Sequence, residues 1–133
     1  MSPLPHPLLI GSEIYRGSTY GPAHPLAIPR VSTCVDLCRA MGWLPDGRYR
    51  EAPMASVAEV TRFHDPVYVA ALREAERTQR VSEADRERFQ LGARGNPVYP
   101  EVYRRPMTSA GGMLLAARLV ADGGIVHLSL IHI

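Results

Sequence analysis

Lysine is absent from this chain: all fifteen of its basic residues are arginine. Set against thirteen acidic residues they leave a net charge of +2, a field too weak to gather nucleic acid or an anionic membrane. The arginines also alternate with acids, as in Arg73-Glu74-Ala75-Glu76-Arg77 and from Glu83 to Arg88. That is the pattern of a solvated helix face rather than of a binding stripe, and no basic patch carries interleaved aromatics. Nucleic acid is therefore not an expected partner. Long hydrophobic runs are missing too. The two longest, Met113 to Val120 and Ile125 to Ile133, are too short to span a bilayer, and Arg118 interrupts the first. The opening Met1-Ser2-Pro3-Leu4-Pro5 has neither the cationic region nor the cleavage pattern of a secretory signal. These absences lead us to expect a soluble, cytoplasmic protein with no membrane partner.

Cysteine is scarce. Cys34 and Cys38 are the only two, and with Val31, Val35 and Met41 they fall on one helical face. Buried, reduced thiols are the expectation, because cysteine packs as a small hydrophobe; a redox pair is the alternative. No further ligand flanks them at the spacing a metal site needs.

What remains is a globular composition, 46% hydrophobic and 21% charged over 133 residues, enough for one domain and one sizeable core. Leu8-Leu9-Ile10 and Ile14-Tyr15 read as short strand pieces, and a Gly- and Pro-rich loop runs from Gly17 to Pro29. Pro29 opens a helix that Gly42 stops near Met41. Arg48 to Ala52 reads as a short strand. Ser56-Val57-Ala58-Glu59 is a capping box, and Asp65-Pro66 supplies an N-cap and a first-turn proline for a helix to about Arg77. Ser82 to Gln90 is a charged helix and Gly92 to Pro100 a loop. Pro106 to Asp122 is a long helix that is apolar on most sides, so it should be buried in something larger. Its Gly111-Gly112 pair costs about 2 kcal/mol relative to alanines, which predicts close packing against another backbone or, alternatively, a local kink. Ile125-Val126-His127 begins a strand for which the sequence shows no partner.

The five histidines, His6, His24, His64, His127 and His132, form no His-Glu-x-x-His element and have no carboxylate at zinc-ligand spacing. There is no Gly-x-Ser-x-Gly elbow and no phosphate loop ending in Gly-Lys-Ser/Thr. Spacing alone assigns no catalytic residue and no metal ligand.

The motifs in their order nevertheless resemble the N-terminal part of the histone deacetylase family, closest to its bacterial acetoin-utilisation type. Tyr20-Gly21-Pro22-Ala23-His24-Pro25 followed by Arg30-Val31 is similar to the family's first active-site loop. Ala58 to Tyr68, Arg88-Phe89-Gln90-Leu91-Gly92, Asn96-Pro97-Val98-Tyr99-Pro100 and Ser109-Ala110-Gly111-Gly112 follow at the family's spacing. The resemblance covers about residues 14 to 127. It implies an α/β fold, the N-terminal part of an arginase/deacetylase-type three-layer architecture with a central parallel sheet, mostly helical over this stretch. It further implies a zinc-dependent hydrolase removing acetyl groups from acetyl-lysine or small acetylated amines, with zinc polarising the amide carbonyl.

In that family the zinc ligands, the paired histidines and the transition-state tyrosine all follow the strand that begins here at Ile125. The resemblance therefore implies that residues 1–127 are the first portion of one deacetylase domain, inactive alone, with zinc required only by the full-length parent. Residues 128–133 (Leu-Ser-Leu-Ile-His-Ile) resemble a translated sequencing adapter. His24 and Pro25 correspond to the substrate tunnel wall. Arg30 corresponds to an internal-channel arginine, or else to a solvated arginine at a helix start. Gly95 stands where the family carries a rim aspartate that holds a peptide substrate, with Glu101 as a possible substitute. The other reading is a small, non-enzymatic helical interaction module of the same ancestry.

Overall fold

A computed structural model describes residues 6–17, 29–93 and 95–129. Its centre is a three-stranded parallel sheet in the order β2-β1-β3, with β1 at Leu8–Gly11, β2 at Tyr49–Glu51 and β3 at Val126–Leu128. Leu9 pairs with Tyr49 on one side and with His127 on the other. The last strand thus has a partner after all. Sequence could not show it, because more than a hundred residues separate β1 from β3 and parallel pairing leaves no hairpin signal.

The helices begin where their caps dictate. α1 is Arg30–Ala40, ended by Gly42 at φ +71°. Ser56 and Glu59 form the expected capping box on α2 (Val57–Val60). Asp65 accepts from the Val67 amide at the start of α3 (Pro66–Thr78), and Ser82 accepts from the Asp85 amide at the start of α4 (Glu83–Phe89). Each such cap is worth about 1 kcal/mol. The long helix α5, Arg104–Ala121, begins two residues before its proline; Pro106 then sits in the first turn, where a missing N–H is harmless.

Two expectations fail locally. Ile14-Tyr15 is not strand but part of a short 3₁₀ turn, Glu13–Tyr15. Ser12 accepts from the Ile14 amide, and the Glu13 amide donates to the Glu51 carboxylate at 3.2 Å, so the chain turns off the sheet as soon as β1 ends. The cysteines are not buried either. α1 buries Ser32 and Val35, which rotates Cys34 into solvent and leaves Cys38 half-covered.

α5 ties two cores together. Met107 and Ala110 pack with Ala55, Val60, Val69, Leu72 and Tyr103 from the α2–α3 side. Leu115, Ala116 and Leu119 pack on Ile10, Tyr15, Ala52, Val126 and Leu128 of the sheet. Between them Gly111 meets the segment leaving β2. A Cβ on Gly111 would lie 1.9 Å from the Pro53 carbonyl oxygen and 2.7 Å from the Ala55 nitrogen. Gly111 makes the close backbone approach that the sequence predicts. The outer side of α5 is bare, with Met113 62% and Val120 56% exposed. No helix among the described residues is long and apolar enough to cross a membrane.

Two outcomes follow from this packing. Gly111→Ala should destabilise the chain by about 3 kcal/mol despite its better helix propensity, because the obstructing atoms are backbone; the shift in urea midpoint measures it. The second concerns Arg16, whose guanidinium forks onto Asp36 at 2.7 and 2.9 Å and also bonds Glu13. Its hydrogen bonds hold the Glu13 and Asp36 carboxyls below their ordinary values of 4.5 and 3.8, respectively. A depressed carboxylate stabilises the fold above its unfolded pKa and stops doing so as pH falls through the folded value. Wild type should therefore melt slightly higher than Arg16→Gln at pH 7, and the gap should close in acid and shrink in salt.

Candidate functional site

In an open parallel sheet the chain leaves every strand on the same side, so loops converge at the carboxyl edge and ligand sites form there. Here that edge is closed by backbone bonds: the Ala52 amide donates to the Gly11 carbonyl at 2.7 Å and the Ser129 amide to the Ile10 carbonyl at 2.8 Å. The 3₁₀ turn after β1 then drops Tyr15 into the interior, where it is 1% exposed.

The Tyr15 hydroxyl meets the Ser109 hydroxyl of α5 at 2.8 Å. One turn earlier on α5, Arg105 lays its guanidinium 5.2 Å from the centre of the Tyr15 ring and is itself only 6% exposed. Arg105 and Ser109 are four residues apart on one helix, so both face the same neighbour. Thr108, also buried, bonds back to the Arg104 carbonyl at 2.9 Å. A phenol, a hydroxyl and a buried permanent cation thus converge beside the carboxyl edge. Such a group can bind or steer an anion or a polarised carbonyl; it includes no general base.

On the far side of α5, Glu76 of α3 holds the start of the helix. Its carboxylate accepts from the Tyr103 and Arg104 amides, each at 2.9 Å, and from the Arg104 guanidinium at 2.7 Å. A carboxylate on the first free N–H groups of a helix satisfies donors that have no intrahelical partner. Glu76 thereby fixes the axial position of Arg105 and Ser109.

The residues singled out from sequence fall in different places. His24 and Pro25 lie outside the described residues. Arg30 is the first residue of α1 and exposed. Gly95, at φ +91°, is exposed in the turn closed by the Ala93–Asn96 bridge, with open space where a Cβ would stand. That turn hangs on α4, through Arg86 to the Gly92 carbonyl at 2.8 Å and Asn96 to the Gln90 carbonyl at 3.1 Å. His64 is exposed between α2 and α3, stacked edge-on with Phe63 at 5.1 Å. Tyr15, Arg105 and Ser109 were not singled out as a group. The available signal was an arginine four residues before a serine on an otherwise apolar helix. Among the described residues, no three of His, Cys, Asp and Glu lie close enough together to hold a metal ion.

Comparison with known proteins gives a consistent picture. The sequence profile of the histone deacetylase domain matches residues 24–132. The acetoin utilization protein AcuC of Bacillus subtilis (strain 168) is 27% identical over 120 residues, which cover 90% of this chain and 31% of that protein. The crystal structure of an HDAC homolog from Aquifex aeolicus superposes with a TM-score of 0.85 at 30% identity, and that of an HDAC homolog complexed with SAHA with 0.84 at 30% identity. Each superposition covers 90% of this chain and 32% of the solved one, so the chain spans about a third of the length of these relatives. Its parallel sheet, its motif order and the profile match agree: this chain belongs to the histone deacetylase family.

Proposed function

We propose that residues 1–127 form the N-terminal portion of a zinc-dependent deacetylase domain, whose complete form hydrolyses acetyl-lysine or small acetylated amines in the cytoplasm. The observation that carries this reading is the 0.85 TM-score to an HDAC homolog over 90% of the chain. The resemblance puts the family's zinc ligands after the strand that begins at Ile125, so the metal and the hydrolytic step are assigned to the two-thirds of the relatives' length that this chain does not span, and the chain alone is expected to be inactive. A helical interaction module is not favoured, because the chain is organised around a parallel sheet.

In this reading the chain contributes a wall and a floor to the site. The buried Arg105 cation favours anionic acetate over neutral amine at the carboxyl edge. Arg30 is proposed to line the channel that receives acetate, and His24 and Pro25 the substrate tunnel. Gly95 marks a rim without the carboxylate that would accept two backbone N–H bonds from a peptide, so small acetylated amines are the favoured substrates. Residues 128–133 are proposed to be foreign in origin, with Leu128 and Ser129 continuing β3 in place of the domain's own residues.

A chimera tests this directly: residues 8–127 replace the matched third of AcuC. We expect deacetylation that is abolished by a zinc chelator and faster on small acetylated amines than on peptides. A folded chimera without activity would contradict the assignment. In the same chimera, Gly95→Asp should raise the ratio of kcat/KM for peptide over small substrate by about tenfold or more, since a charge-assisted hydrogen bond is worth about 1.5–3 kcal/mol. A side chain at φ +91° is strained, but strain lowers both rates together and leaves the ratio intact.

A further inference from the structure

Cys34 and Cys38 play no part in the site described above. They lie on α1 four residues apart, Cys34 in solvent and Cys38 half-covered. Cys38 also lines a cavity of about 410 Å³ beside Leu8, Trp43, Leu44 and His127. This cavity reaches the amino ends of β1 and β2, where Leu8 and Arg48 sit, away from the carboxyl edge.

The helix decides what the two thiols can do. Residues four apart hold their Cβ atoms about 5–6 Å from each other, whereas a disulfide needs about 3.5–4.5 Å. A direct S–S bond is therefore disfavoured while α1 is intact. One bridging atom between the sulfurs closes the gap. We propose that Cys34 and Cys38 form a chelating dithiol for a soft, thiol-seeking centre, with trivalent arsenic in a monosubstituted arsenical as its ligand class.

Soft thiolate donors select such centres over hard cations. The substituent on arsenic has an apolar place to go, the cavity walled by Trp43 and Leu44. In the reaction two As–S bonds form and two As–OH bonds break. Each thiol proton leaves with a hydroxide as water, and arsenic stays trivalent, so no oxidant or reductant is needed. Burial first, and then the neighbouring Cys34, raise the Cys38 pKa above its ordinary value.

The test uses the full 133-residue chain and phenylarsine oxide. Native mass spectrometry should show one arsenic per chain, with both free thiols lost and the emission of Trp43, the only tryptophan, altered. Cys34→Ser and Cys38→Ser should each weaken capture by about 100-fold or more, the loss of a two-point attachment. A double variant, Thr33→Cys with Cys34→Ser, keeps two thiols but swings one by about 100° around the helix. It should bind as weakly as the single variants if α1 sets the geometry. Single variants that bind as tightly as wild type, or a double variant that does, would overturn the proposal; the latter would mean that any nearby cysteine pair suffices.

Discussion

The backbone contact at Gly111 organises the rest of the structure. Its missing side chain lets α5 lie against the Pro53–Ala55 segment, where the Ala55 amide donates to the Met107 carbonyl at 2.9 Å. That one crossing fixes α5 relative to both cores. N-terminal to it, Met107 and Ala110 join the α2–α3 cluster; C-terminal to it, Leu115 and Leu119 cover the sheet. Ser109 and Arg105 reach Tyr15 only because the helix is held at this height. A packed interior resists such displacements, since even a methyl group without space forces its surroundings to move.

From this crossing the chemistry of the carboxyl edge follows. Burying an arginine is unfavourable unless its charge is well accommodated, and here the guanidinium lies over the face of the Tyr15 ring. Glu76 clamps the helix start from the opposite side, so Arg105 is positioned by two independent elements. The bare outer side of α5 agrees with a chain that spans about a third of its relatives' length.

Much of this was legible in the residues themselves. Ser56, Asp65 and Ser82 announce three helix starts because capping is a local hydrogen bond, set within three residues. Gly111-Gly112 announces a close approach or a kink because glycine is costly inside a helix, and the Pro53 carbonyl decides for the former. The rest depends on distant partners. Periodicity groups Cys34 and Cys38 with Val35, but a helical stripe is wide, and tertiary packing makes Ser32 and Val35 its buried edge. Ile14-Tyr15 has the composition of a strand; Ser12 and the distant Glu51 carboxylate turn it instead. The β1–β3 pairing and the burial of Arg105 are both long-range outcomes of α5, invisible to any local window. His24 and Pro25 lie outside the described residues, so their place rests on resemblance.

The central claim is that α5 is locked to the sheet through the contact at Gly111, and amide hydrogen exchange at Ala55 tests it most directly. Ala55 lies in neither a helix nor a strand, so a loop of this sequence would exchange its amide rapidly. The account predicts that the Ala55 amide exchanges as slowly as those in the middle of α5, opening only when that helix leaves the sheet. Exchange at the rate of an unprotected loop, with α5 itself protected, would contradict it.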